Sequence, residues 1–239
     1  MNRILFDRSE IAGGVATFGG ARAEHVIKVL HGEVGQVLKT GEINGKIGSS
    51  VIEAVELKGS EYVIKARVEH EGESLKPWVD LVLAPPRPRV MKRLLPQLAA
   101  MGVGRIMLVG AKKVEKDFWG ATLLKEENYR PLLVEGLMQS GTSILPTLET
   151  SRNFRKFVHE ELEAFSPDAV RRIVAHPYNA SESTACAEGR LLLAVGPEGG
   201  WTDEEVELLE ERSFMRYSLG GRILRTDTAL IALLARLGA

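Results

Sequence analysis

Apolar segments of strand length alternate with helical segments from residue 79 onwards, and this alternation constrains the fold more than any other feature of the sequence. The predicted strands cover residues 79–84, 105–109, 171–175, 191–195 and 214–219. The predicted helices cover residues 90–101, 126–139, 153–165, 203–212 and 226–237. Strands of mostly apolar residues with helices between them are typical of a parallel sheet that is covered on both faces. We therefore predict an α/β domain with a buried parallel sheet.

The pattern before residue 70 is different, because short strands with turns between them follow one helical segment. The helical pattern covers residues 23–30, and the predicted strands cover 36–40, 50–57 and 62–69. Several short strands in so few residues indicate a small barrel. The polar stretch 69–77 reads as a linker. We therefore predict two domains, 1–74 and 75–239.

Composition excludes several classes of protein. With 44% hydrophobic and 26% charged residues the 239-residue chain resembles a globular protein, and disorder is not expected. No apolar run reaches the roughly 18 to 20 residues that span a bilayer, and the first residues lack the apolar core of a signal peptide, so a cytoplasmic protein without a membrane partner is expected. The single cysteine, Cys186, cannot form an internal disulfide, and the five histidines lack metal-ligand spacing. No metal site is expected.

The net charge of −1 conceals an uneven distribution of charge. Residues 73–130 carry eleven Lys/Arg against six Asp/Glu, whereas residues 131–239 carry eleven against sixteen. Such asymmetry indicates either a surface for a polyanion or solvated basic helix faces. The basic positions that follow the first strand of the larger domain are candidate phosphate contacts: Arg87, Arg89, Lys92 and Arg93. The alternative RNA-binding positions, on the smaller domain, are Arg22 and Lys28.

Two glycine-rich segments follow predicted strands and are candidate walls of one ligand pocket. The strand 191–195 runs into Gly-Pro-Glu-Gly-Gly at 196–200, and Thr202 with Glu205 forms a capping box at the start of the next helix. Ligands bind at the carboxyl ends of strands in such sheets. The first turn of this helix carries three carboxylates and no lysine, which disfavours a phosphate and favours a ligand with a cationic or neutral head. The second segment is SLGGRILRTDTA at 218–229.

At these residues the sequence resembles the RsmE family of 16S ribosomal RNA (uracil-N3)-methyltransferases, of the SPOUT superfamily. The resemblance is close at GPEGGWTDEEVELLEERSF (196–214) and YSLGGRILRTDTA (217–229), and weaker at HVIKVL (25–30) and LLVEGLMQSGTSILP (132–146). It implies an N-terminal PUA-like β-barrel domain for RNA and a SPOUT-type α/β domain with a C-terminal trefoil knot. It also implies a homodimer, S-adenosyl-L-methionine as cofactor, and 16S rRNA or the 30S subunit as partner.

The resemblance also assigns roles to residues. A cationic side chain could stabilise the anion that develops at the uracil imide, for which Arg225 is the first candidate and Arg222 the second. Glu198 is a candidate base, or it holds the loop by accepting backbone N–H groups. The expected cofactor-binding residues are Val195, Gly196, Pro197, Gly199, Gly200, Leu219, Gly220, Gly221, Ile223, Leu224 and Thr226.

Three alternative functions stay open on the sequence. A catalytically silent RNA-binding or ribosome-assembly protein would share the basic surface, and an RNA methyltransferase for a different nucleotide would share the cofactor pocket. A dinucleotide-binding Rossmann enzyme is disfavoured, because its first strand leads into a glycine-rich turn. Here the residues after that strand are Pro85-Pro86-Arg87.

Overall fold

A computed structural model describes residues 2–178 and 189–238 of the chain. The chain forms two compact units. The first comprises Met1–Leu75 with Val134–Leu145, and the second comprises Lys76–Leu133 with Pro146–Ala239. The sequence pattern did not predict that Val134–Leu145 groups with the first unit. The domain division at residue 74 stays a prediction.

The first unit contains one six-stranded sheet, one complete α-helix and the second half of the helix Glu126–Ser140, which begins in the other unit. The strands run in the order β1-β4-β5-β6-β3-β2, and β1–β4 is the parallel pair among antiparallel neighbours. Their bounds are β1 Ile4–Phe6, β2 Ile11–Ala12, β3 Val15–Phe18, β4 Val37–Glu42, β5 Ile47–Lys58 and β6 Glu61–Gly72, with α1 at Gly20–Lys28 and a 3₁₀ turn at Arg8–Glu10. The three strands and the helix predicted from the sequence are present, although α1 begins and ends earlier than predicted.

The long hairpin β5–β6 organises the first unit. Its turn at Gly59 has a φ of +65°, a conformation that favours glycine. The hydrophobic core forms where the inward side chains of the sheet meet α1, and includes Phe6, Phe18, Val26 and Ile64. Burial of these side chains on one face explains why the strands alternate between apolar and polar residues.

The second unit is built on a six-stranded sheet in which every neighbouring pair is parallel. The strand order is β12-β10-β11-β7-β8-β9. The bounds are β7 Val79–Leu83, β8 Val103–Val109, β9 Thr147–Ser151, β10 Ala169–Ala175, β11 Arg190–Val195 and β12 Met215–Tyr217. The predicted α/β class is therefore confirmed.

The helices that follow these strands begin and end close to their predicted positions. They are α2 Pro88–Ala100, α3 Glu126–Ser140, α4 Phe154–Lys156, a π-helical turn Phe157–Glu161, α5 Leu162–Phe165, α6 Asp203–Glu210 and α7 Thr226–Leu237, with 3₁₀ turns at Lys116–Gly120 and Thr122–Leu124. The predicted helix 153–165 is therefore helical throughout residues 154–165, but a π-helical turn interrupts it. Asn153 caps its start by accepting the backbone N–H of Lys156 at 3.0 Å.

A buried ion pair joins neighbouring strands of the parallel sheet. The carboxylate of Asp80 on β7 is 1% exposed and accepts two hydrogen bonds from the guanidinium of Arg190 on β11, at 2.8 and 2.6 Å. The hydroxyl of Ser166 donates a further hydrogen bond of 2.7 Å to the same carboxylate. The hydrogen bond to Asp80 is the main reason that the pKa of Arg190 lies above its usual value. The pair lies near the amino ends of the strands and has a structural role.

Among the described residues, no helix combines the length and the apolar character needed to cross a membrane.

Candidate functional site

One pocket lies at the carboxyl ends of β10, β11 and β12 in the second unit and has a volume of about 480 Å³. Its walls are the loops that follow these three strands, together with the start of α7. This volume lies within the range of about 300–1,000 Å³ that is usual for small-molecule sites. The pocket occupies the edge of the sheet at which the sequence predicted a ligand site.

The loop after β11 folds tightly back on itself. A Cβ atom at Gly196 would lie 3.0 Å from the backbone nitrogen of Trp201, so a larger residue would force this backbone apart. Gly200 has a φ of +69°. Glycine is therefore required at the first position by close approach and at the second by backbone conformation.

Lys113, in the segment after β8, holds this loop in place. Its ammonium group donates hydrogen bonds to the carbonyl oxygens of Gly199 at 2.8 Å and Trp201 at 3.4 Å. A Cβ atom at Gly199 would lie 2.9 Å from Cδ of Lys113. The glycine therefore makes room for the lysine side chain. The sequence predicts Gly199 as a cofactor-binding residue and gives no signal for the role of Lys113.

The capping box at α6 also connects this loop to the segment after β8. Thr202 accepts the backbone N–H of Glu205 at 3.3 Å, and the Glu205 carboxylate accepts that of Thr202 at 2.8 Å, as predicted. The same carboxylate accepts the backbone N–H of Lys112 at 2.7 Å. Glu205 is buried and therefore joins two loops of the pocket edge.

Trp201, in the same loop, is buried. Its side chain lines the pocket, is 6% exposed and lies with its ring 5.2 Å from that of Phe154. The indole Nε1 is buried and has no hydrogen-bond partner among residues 2–178 and 189–238. A buried donor of this kind is costly unless a ligand or water accepts its hydrogen bond.

The loop after β12 forms the opposite wall. The Ser218 hydroxyl accepts the backbone N–H of Gly220 at 3.1 Å, and Gly220 has a φ of +103°. Beyond this turn, Ile223 and Leu224 line the pocket but remain 75% and 38% exposed. The rim of the pocket therefore carries apolar side chains in contact with solvent.

The pocket brings together most of the residues that the sequence nominated. Those that line it are Val195, Gly196, Pro197, Glu198, Gly199, Gly200, Leu219, Gly220, Arg222, Ile223, Leu224 and Thr226. Gly221 and Arg225 do not line it, although both lie in the same loop and are exposed. The carboxylate of Glu198 accepts the backbone N–H of Arg87 at 3.4 Å, which is the loop-holding contact considered for it.

The predicted RNA-binding side chains differ in what they contact. Arg89 and Lys92 are exposed and form no ion pair among residues 2–178 and 189–238, whereas Arg87 pairs with Glu115 at 3.0 Å and Arg93 with Asp227 at 3.4 Å. The exposed Lys28 pairs with Glu24 at 3.4 Å.

Arg22, the other candidate in the first unit, has a different environment. Its guanidinium forms a bidentate ion pair with Glu10, donates to the carbonyl oxygen of Leu5 at 2.8 Å and lies over the ring of Phe18. These contacts give Arg22 a structural role in its own unit.

In the part of the chain that the structure describes, no group of three or more His, Cys, Asp or Glu side chains is placed to hold a metal ion. Cys186, for which the sequence excluded an internal disulfide, lies outside the described residues.

A parallel sheet with a ligand-sized pocket at the carboxyl ends of its strands defines an α/β domain that binds a small molecule or cofactor. Comparison with known proteins identifies the family. Residues 73–238 match the family model described as RNA methyltransferase domain. The chain is 30% identical to the ribosomal RNA small subunit methyltransferase E of Treponema pallidum, an alignment that covers 97% of this chain and 88% of that protein. The chain therefore belongs to the ribosomal RNA small subunit methyltransferase E family, and the resemblance noted from its sequence is confirmed.

Two solved structures share the fold. A structure from Legionella pneumophila, solved in complex with the cofactor SAM, superposes with a TM-score of 0.77 at 24% identity and covers 99% of this chain and 96% of that one. The ribosomal RNA small subunit methyltransferase E from Neisseria gonorrhoeae, bound to S-adenosyl methionine, gives a TM-score of 0.74 at 19% identity, with the same coverage of both chains. At these identities the likeness establishes a common mixed α/β fold.

Proposed function

We propose that the protein is an S-adenosyl-L-methionine-dependent methyltransferase that modifies N3 of a uridine in 16S rRNA of the small ribosomal subunit. The pocket at the carboxyl ends of β10, β11 and β12, formed by the two glycine-rich loops, carries this proposal. Membership of the family supports the rRNA substrate, and the relatives solved with bound S-adenosyl methionine support the cofactor.

The chemistry of the pocket fits this cofactor. Leu219, Leu224 and Leu233 provide apolar surface for an adenine ring, and the carboxylates of Glu198 and Asp203 favour a cationic ligand over a phosphate. The bound cofactor would supply a methyl group on a sulfonium, which needs a nucleophile held in line.

Side chains at the pocket would remove the N3 proton of the uracil and stabilise the anion that forms. Loss of the N3 proton leaves a negative charge on the imide, and a nearby guanidinium stabilises that charge. Arg222 lines the pocket, whereas Arg225 lies at the start of α7 outside the lining, so Arg222 has the better position of the two. Glu198 lines the pocket as well and is available as the proton acceptor. The contact of its carboxylate with the backbone of Arg87 also supports a role in shaping the loop.

We extend the proposal to the quaternary structure and to the finer features of the fold. The exposed side chains of Ile223 and Leu224 at the pocket rim favour a homodimer that covers them. A trefoil knot in the second unit and a PUA-like barrel in the first belong to the same proposal and are supported by family membership. Sedimentation that finds a 26.2 kDa species alone at micromolar concentration would contradict the homodimer.

RNA binding is assigned to the basic positions Arg87, Arg89, Lys92 and Arg93, and the cytoplasmic location follows from a ribosomal substrate. A catalytically silent RNA-binding protein would use the same basic surface, but nothing in that alternative explains the glycine-rich pocket. A methyltransferase for a different nucleotide would keep the pocket and differ in its product.

The decisive experiment combines binding and product analysis. Calorimetry with purified protein should give one S-adenosyl-L-methionine site per chain. Incubation with 30S subunits or free 16S rRNA from a strain that lacks this gene should then produce N3-methyluridine, identified by nuclease digestion and mass spectrometry. Cofactor binding without any methylated nucleotide would favour the silent alternative, and a methyl group on another base would correct the target.

A further inference from the structure

We infer that Trp119 and Arg152 form a stacking platform for an unpaired base of the RNA substrate, at the carboxyl ends of the same parallel strands that carry the cofactor pocket. The guanidinium carbon of Arg152 lies over the Trp119 ring, 5.7 Å from its centroid. The guanidinium also donates a hydrogen bond of 3.3 Å to the carbonyl oxygen of Trp119. This inference rests on the proposed function, because it names how the same protein would hold its RNA.

The fold places both residues at the edge of the sheet that carries the pocket. Trp119 belongs to the segment after β8, as does the pocket residue Lys113, and Arg152 directly follows β9. Because β8 and β9 are parallel neighbours, their carboxyl ends lie at the same edge. The backbone N–H of Gly110 donates to the carbonyl oxygen of Ser151, which fixes the two segments to each other at this end.

The local packing anchors Trp119 without burying it. The preceding residue, Phe118, is 2% exposed and its ring meets that of Trp119 edge to face, with centroids 5.4 Å apart. Trp119 itself is only partly buried, and Arg152 is exposed. An aromatic ring held on a rigid support and open to solvent is what a nucleobase needs in order to stack.

The charges around the platform favour RNA over an apolar partner. Within three residues of the platform in sequence, Lys116 and Arg155 are exposed and form no ion pair among the described residues. Arg152 adds a third cation, against the exposed carboxylates of Asp117 and Glu149. Phosphates attract such groups, and stacking on aromatic and guanidinium planes is the common way in which proteins hold single-stranded bases. A cluster that contains a tryptophan therefore suits an unpaired nucleotide rather than a duplex backbone alone.

The test compares Trp119→Leu, which keeps an apolar side chain, with Trp119→Phe, which keeps an aromatic ring. Affinity is measured, over a range of salt concentrations, for a single-stranded RNA that contains the unmodified target uridine. Trp119→Leu should weaken binding by about 5- to 150-fold, the range expected for one stacked base, and Trp119→Phe by much less. The slope of log affinity against log salt should not change in either variant, because no charge is lost. Arg152→Ala should weaken binding and also reduce that slope.

Abasic substitution in the RNA identifies the partner base. Removal of the base at one nucleotide should weaken binding to the wild-type protein by the same factor as Trp119→Leu does. That abasic RNA and the Trp119→Leu variant together should lose no more affinity than either change alone. Two results would refute the stacking role of Trp119 without affecting methyl transfer. One is full RNA affinity in a folded Trp119→Leu variant. The other is that, for every abasic RNA, the losses of affinity from the RNA and from the variant simply add. If the wild-type protein neither binds nor methylates RNA, the proposed function fails together with this inference.

Discussion

Replacing Lys113 by methionine should weaken cofactor binding without unfolding the protein. Methionine keeps an unbranched apolar side chain in the space beside Gly199 but removes the ammonium that donates to two carbonyl oxygens of the loop. The loop would then sample conformations in which its backbone no longer shapes the pocket. Only the fraction of molecules with the correct loop would bind, so the apparent affinity falls in proportion to that fraction.

The size of the effect follows from the two hydrogen bonds. A hydrogen bond from a charged group contributes about 1.5–3 kcal/mol, and the low end applies because Lys113 is exposed and its second contact is long, at 3.4 Å. A loss of about 1.5 kcal/mol in the stability of the loop conformation corresponds to a rise of up to about tenfold in Kd for S-adenosyl-L-methionine. Calorimetry measures this directly, and thermal unfolding provides the control for folding. Unchanged affinity in the Lys113→Met variant would refute the role assigned to this lysine.

A double-mutant cycle tests the same geometry from the other side. Gly199→Ala should weaken binding because its new Cβ atom meets Cδ of Lys113 at 2.9 Å. In a Lys113→Ala background that carbon is absent, and the substitution at Gly199 should cost less than it does in the wild-type protein. If Gly199→Ala causes the same loss of cofactor affinity in both backgrounds, the glycine is needed for contact with the ligand and not to make room for the lysine.

Three further predictions concern stability and RNA. Arg190→Met should destabilise the second unit by about 3–5 kcal/mol in chemical denaturation, because it leaves the buried Asp80 carboxylate without its partner, and Asp80→Asn in addition should recover part of the loss. The pKa of His70 lies below its usual value of 6.5, mainly because the side chain is partly buried. The unfolded chain therefore binds a proton at a higher pH than the folded protein does, and the free energy of unfolding should fall as the pH drops below about 6.5. His70→Gln should flatten this pH dependence. Arg89→Ala should reduce the salt slope of RNA binding by about one unit, whereas the paired Arg87 should give a smaller change when replaced.

Periodicity predicted the long buried strands of the parallel sheet and missed the edge strand β9 and the shortest strands of the first unit. The strands β7, β8 and β11 consist almost entirely of buried residues, and their apolar runs are visible in the sequence. By contrast, β9 has the sequence TLETS, is largely exposed and lies at the end of the sheet, so it carries no hydrophobic pattern. The strands β1 to β3 contain two to four residues each, which is too short for a period to be recognised.

Local sequence also predicted two of the three loops that form the pocket, missing the loop after β10, and did not predict which side chains hold them. The glycines, the capping box and the strand ends are adjacent in sequence, and backbone geometry follows from them directly. Lys113 acts on carbonyl groups 86 and 88 residues further along the chain, and Arg152 meets a tryptophan 33 residues before it. Such contacts depend on which strands become neighbours in the sheet, and a single sequence does not specify that order.

The cations at the carboxyl ends of β8 and β9 divide between two tasks. Lys113 directs its ammonium to the loop that forms the cofactor pocket, so it is not available to hold a phosphate in this conformation. Lys116 and Arg152, from the segments that follow β8 and β9, remain exposed for RNA. Because Lys113, which holds the loop, and Lys116, which is open to RNA, share the segment after β8, RNA bound to this segment would also favour the loop conformation that binds cofactor. Cofactor affinity should therefore rise when RNA is bound, and by linkage RNA affinity should rise by the same factor in the presence of cofactor.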